Sequence, residues 1–66
     1  MPAKILDVTG WNLENLGGYW RYVSHSDRLV TSGYMDKETC LRNKNGYRDD
    51  AGTRELMSKR YQEFYP

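Results

Sequence analysis

Most of the devices that hold a very small domain together are missing from this chain. Its 66 residues include one cysteine, Cys40, so no intrachain disulfide can form. They include one histidine, His25, so Cys and His cannot assemble any of the usual zinc ligand sets. No apolar run approaches the roughly 18–20 residues that a membrane span needs. Met1-Pro2-Ala3-Lys4 is not followed by the apolar stretch of a secretion signal. A lone thiol without an export signal points to the reducing cytoplasm, and no membrane contact is expected. Charge of one sign is lacking too: 10 Lys and Arg face 9 Asp and Glu, a net +1. That balance speaks against a polyanion mimic and against a strongly basic nucleic-acid binder.

Constellations that carry chemistry are also missing. His25 has Ser24, Ser26 and Asp27 beside it, but four consecutive residues of a polar turn cannot place a base, a buried acid and an oxyanion site around one another. Cys40 has no second histidine to activate it and reads as a small residue packing a helix onto a sheet. Asp49-Asp50 lacks the spacing of a calcium loop and reads as a helix cap. Gly17-Gly18 lacks the lysine and the fixed glycine spacing of a phosphate loop and reads as a turn. No catalytic, cofactor-binding or metal-ligating residue is therefore expected, and the chain reads as a non-enzyme.

What the chain does have is aromatic area: six Tyr, two Trp and one Phe. Each buries roughly 150–250 Å², so a few can hold a small core. The richest stretch is Tyr19-Trp20-Arg21-Tyr22-Val23-Ser24. Its residue types favour a pleated surface. Ser24 to Arg28 is polar and turn-forming, and Leu29–Tyr34 reads as the returning strand of a hairpin. Alternation puts Tyr19, Arg21 and Val23 on one face and Trp20, Tyr22 and Ser24 on the other, and neither face is cleanly polar. Residues 3–8, from Ala3 to Val8, read as a short first strand. The stretch 12–18 is open between a turn of helix, a loop and a wide hairpin connection.

Asp36 is a good N-cap for a short helix over Lys37–Asn43, with Cys40 and Leu41 inward. Asn43-Lys44-Asn45-Gly46 ends it. A second helix over roughly 53–64, capped by Thr53 or Asp50, carries Leu56, Met57, Tyr61 and Phe64 toward the core. The expected architecture is one small α+β domain over residues 1–66. A two- or three-stranded antiparallel sheet from residues 3–35 packs on one or two C-terminal helices.

The run from Trp20 through the Gly33-Tyr34 corner, Asp36-Lys37 and Cys40 resembles the short ββα repeat of the YegP-like family of uncharacterised proteins. That repeat sets an aromatic strand, a tight turn and a second strand ahead of a helix whose small residue faces the sheet. The likeness covers residues 19–41. Ser24–Arg28 stands where the family usually has an Asn-Gly turn. What the resemblance implies is the fold, since the family has no firm biochemical role.

Function is read from the hairpin aromatics. Tyr19, Trp20, Arg21, Tyr22, Arg28 and Tyr34 are of the types enriched where proteins bind proteins. The expected activity is contact with a larger protein partner, in the manner of a small phage-type modulator or inhibitor of a host protein. A homodimer is the other use of the same surface. The alternative is RNA or single-stranded DNA, with bases stacking on Trp20, Tyr22 and Tyr34. Arg21, Arg42, Lys44 and Arg48 would then hold phosphates. Residues 19–48 do lean basic, with six Lys or Arg against Asp27, Asp36 and Glu38.

Overall fold

A computed structural model describes residues 4–66. It shows the α+β arrangement, in the order β1 (Asn12–Leu16), β2 (Tyr19–Ser24), β3 (Leu29–Val30), α1 (Lys37–Arg42) and α2 (Ala51–Phe64). The three strands form one antiparallel sheet in the order β1-β2-β3. Gly17 and Gly18 join β1 to β2 with φ of 66° and 89°. Two left-handed residues in a two-residue loop match the right-handed twist of the strands, and glycine adopts them without steric cost. That turn sets the register, pairing Leu16 with Tyr19 and Asn12 with Val23.

The first strand is therefore not the one expected at residues 3–8. Ala3 lies outside the described residues. Ile5 makes only an isolated antiparallel bridge with Arg48, supported by Leu6 N–H donating to the Tyr47 carbonyl at 2.9 Å. The segment is extended because Leu6 and Val8 both turn into the core. It pairs with the connection between the helices because β1 already occupies that edge of β2.

The returning strand is shorter than expected. Its regular part is Leu29–Val30, after which the Thr31 side chain intervenes. The Tyr22 N–H donates to the Thr31 hydroxyl at 3.0 Å, while the Thr31 N–H donates to the Tyr22 carbonyl. Pairing resumes at a Trp20–Tyr34 bridge, one residue out of step with the Val23–Val30 pair, so the edge carries a bulge. Gly33 is needed inside it. A Cβ there would lie 2.5 Å from the Tyr19 Cβ and 3.1 Å from the Trp20 carbonyl oxygen.

Both helices start at aspartates. The Asp36 carboxylate accepts from the Thr39 N–H at 3.0 Å, and the Asp50 carboxylate from the Thr53 N–H at 2.7 Å. Asp50 rather than Thr53 is thus the second cap, and α2 starts at Ala51. Two inward assignments need correction. Cys40 is fully buried, but Leu41, next along the short α1, points outward. In α2, Met57 is buried and Leu56 is 59% exposed. A single contact line at helical spacing runs through Thr53, Met57, Tyr61 and Phe64, and the neighbour of Met57 cannot share it.

The core gathers Leu6, Val8, Tyr22, Leu29, Cys40, Tyr47 and Met57, with Trp11, Leu13, Trp20 and Tyr34 packed around them. Tyr22 meets Tyr47 edge-on, with ring centroids 6.2 Å apart. Burial pushes both phenols above their ordinary pKa. Most of this core lies on the Trp20–Tyr22–Ser24 face of β2, while Val23 and its partner Val30 are buried on the other face. The other face receives the C-terminal end of α2, where Phe64 packs on Arg21.

Candidate functional site

The six hairpin residues singled out above do not share one surface. Tyr22 is 6% exposed and belongs to the core. Trp20 and Tyr34 are half-buried and adjacent, joined by the bridge between their backbones. Tyr19 and Arg21 lie on the opposite face of β2. Arg28 is exposed in the β2–β3 turn, beyond the other end of the strand.

Arg21 is committed to the fold. Its Nε donates to the Leu16 carbonyl at 3.1 Å and its Nη1 to the Thr31 carbonyl at 3.3 Å. Its guanidinium lies between the Tyr19 and Phe64 rings, 5.5 and 5.2 Å from their centroids. Desolvation pulls its pKa below the usual value, though an arginine remains charged. A side chain so occupied ties β1, the bulge and α2 together and has few donors left for a partner.

Trp20 and Tyr34 instead anchor an exposed patch that extends into α1. The Lys37 ammonium lies 5.3 Å from the centroid of the Trp20 ring. Leu41 is one helical turn after Lys37, on the same side of α1, and is 39% exposed. Met35, between Tyr34 and the Asp36 cap, is 79% exposed. A hydrophobic residue just before an N-cap commonly folds back onto the fourth residue of the helix, here Cys40. Met35 does not, and its thioether faces water. Two half-buried aromatics, two exposed aliphatic side chains and one cation thus adjoin at one edge of the domain.

A second cluster joins β1, the β2–β3 turn and the end of α2. The His25 ring holds Glu14 through Nε2 at 2.8 Å and the Tyr61 hydroxyl through Nδ1 at 3.0 Å. The Tyr65 hydroxyl donates to the other Glu14 oxygen. That bond holds the Glu14 carboxyl below the usual carboxylate range, and the carboxylate in turn pushes the Tyr65 phenol up to about 12. His25 also packs edge-on against both tyrosine rings. The turn itself is as the sequence reads it, with the Asp27 N–H donating to the Ser24 hydroxyl. The partners of His25 are 11 and 36 residues away in sequence, and no local pattern announces them.

Among the described residues, no group of three His, Cys, Asp or Glu side chains is placed to hold a metal ion. No helix there is long and apolar enough to cross a membrane. Comparison with family models, curated proteins and solved structures finds no match for this chain. The resemblance to the YegP-like repeat thus stands as a likeness of local pattern.

Proposed function

We propose that this chain acts without catalysis, by binding a larger protein through Trp20, Tyr34, Met35, Lys37 and Leu41. The observation that carries the reading is the exposure of Met35 and Leu41 beside two half-buried aromatics. Anchors of this kind bury well against a partner, since Trp, Tyr and Met are enriched where proteins meet. With a single buried thiol and this surface, the chain suits a cytoplasmic modulator or inhibitor that occludes part of its target. A second copy of the chain is the competing occupant of the same patch.

Nucleic acid is the weaker reading on physical grounds. Tyr22 is buried and Arg21 is spent on carbonyl groups. Lys37 covers one face of the Trp20 ring. A base-stacking platform needs open rings with free cations alongside. Arg42, Lys44 and Arg48 remain exposed, but the aromatics they would serve are largely engaged.

The test is photo-crosslinking in cells, with a photoreactive residue at Met35, at Leu41 or, as a control, at Lys59 on the outer side of α2. The expected result is one discrete protein adduct from positions 35 and 41 and none from 59. The same adduct should form when lysate is irradiated in about 1 M salt, where the Debye length falls to about 3 Å. Adducts to nucleic acid, or the same adducts from all three positions, would overturn the reading.

A further inference from the structure

Arg28 has a backbone φ of 57°, the only positive value among the described residues other than glycine. The left-handed conformation crowds any side chain with a Cβ, and a turn that requires it is normally given to Gly or Asn. Arginine is thus a poor conformational choice at this position. A residue held against its backbone preference is a reason to look at what its side chain can do. The Arg28 guanidinium forms no ion pair with the described residues.

It opens onto a cavity of about 330 Å³ lined by Arg28, Ser58, Tyr61, Gln62, Tyr65 and Pro66. That is near the lower size limit of small-molecule sites. The Tyr61 and Tyr65 rings are 5.0 Å apart and tilted by 31°. Their hydroxyls are taken up by His25 and Glu14, and the two rings are held as a tilted stack in which each covers one face of the other. What the cavity still offers is aromatic ring surface, a neutral hydroxyl and amide from Ser58 and Gln62, and one guanidinium. Arg28 is the sole charged side chain among the lining residues. A guanidinium matches phosphate oxygens in pairs, and a tyrosine ring takes a planar partner. With one cation, the site suits one phosphate group rather than a chain of them.

We propose that this cavity binds a nucleoside monophosphate, free or as the 5′-phosphorylated end of a strand, with Arg28 on the phosphate and the base on the outer face of the stacked Tyr61–Tyr65 pair. This site is separate from the Trp20–Met35 patch and independent of its role.

The experiment is calorimetric titration of the full chain with AMP, GMP, CMP and UMP. Adenosine, inorganic phosphate and a 5′-phosphorylated trinucleotide serve as comparisons. At least one monophosphate should bind tenfold or more tightly than adenosine and inorganic phosphate. A trinucleotide that binds more tightly still identifies a strand end as the source of the ligand; equal or weaker binding identifies the free nucleotide. Arg28→Gly should weaken binding by about tenfold or more, as expected for loss of a charge-assisted pair. It should also raise Tm by about 4–8 °C, because the left-handed position is relieved. Arg28→Asn, which tolerates the same backbone, should behave alike and guards against a glycine-specific effect. The proposal is overturned if no monophosphate binds more tightly than inorganic phosphate, an adventitious ion only. It is equally overturned if both Arg28 variants bind as well as the parent.

Discussion

Changing Tyr65 to phenylalanine removes one hydroxyl from the cluster that joins the end of α2 to the sheet. The hydroxyl donates to the Glu14 carboxylate, whose second oxygen is held by His25. A hydrogen bond to a charged group is worth about 1.5–3 kcal/mol when water is excluded. The Glu14 side chain is 27% exposed, so water replaces part of what the variant loses. About 1 kcal/mol is the reasonable expectation after that discount. In a domain of this size that lowers Tm by about 4–8 °C. The pH dependence tests the cause. The Glu14 carboxyl is lowered in the folded protein, first of all by Tyr65. Its contribution is therefore present above the unfolded value of about 4.3 and is lost as pH falls through the folded value. The Tyr65 phenol is raised to about 12, so the same bond is present below about 10 and lost as pH rises through about 12. Thermal melts of parent and Tyr65→Phe followed by circular dichroism should differ between about pH 6 and 9. They should converge in acid once Glu14 is protonated. Equal melts at neutral pH, or a gap that persists undiminished in acid, would refute the reasoning.

Three further substitutions test the fold. Gly33→Ala should cost about 1–3 kcal/mol by chemical denaturation, because the new Cβ would meet the Tyr19 Cβ and the Trp20 carbonyl inside the bulge. Met57→Ala should cost about 2–5 kcal/mol, enough to unfold a domain this small, whereas the exposed Leu56→Ala should stay within about 0.5 kcal/mol. Asp36→Ala should lower stability by about 1 kcal/mol and Asp36→Asn by much less, since an amide oxygen can also accept from the Thr39 N–H.

Part of this architecture was legible in the sequence. β2 declares itself through Tyr, Trp and Val, and Asp36 announces α1, whereas the sequence leaves the cap of α2 open between Asp50 and Thr53. β1 does not, because Asn-Leu-Glu-Asn-Leu has little strand propensity and is held extended by the Gly17-Gly18 turn and its pairing with β2. Residues 4–8 carry the better apolar pattern, yet their pairing is decided by Tyr47 and Arg48, which local sequence cannot reveal. The early end of β3 depends on a Thr31 hydroxyl accepting from a backbone N–H.

The candidate surface was less legible than the fold. Alternation sorts Tyr19 and Arg21 from Trp20 and Tyr22, but large side chains stand on both faces, so period 2 alone does not tell core from surface. Nor does it separate Tyr22, inside, from Trp20, at the margin. Met35 resembles a staple residue and is exposed instead. The Glu14–His25–Tyr61–Tyr65 cluster draws on three separate segments, and only the folded chain brings them together.

Hydroxyl-radical footprinting tests the proposed contact surface most directly, by following oxidation of Met35 and Trp20 in cell lysate and in buffer. Oxidation is normalised to Leu56, exposed on α2 outside the patch, to correct for radical scavenging by the lysate, and Met57, buried in the core, should react little in either. If the chain binds a protein through this patch, Met35 and Trp20 are protected in lysate and the protection survives nuclease treatment. Equal oxidation of Met35 in lysate and buffer, with the protein at a concentration its partner can match, would contradict the account.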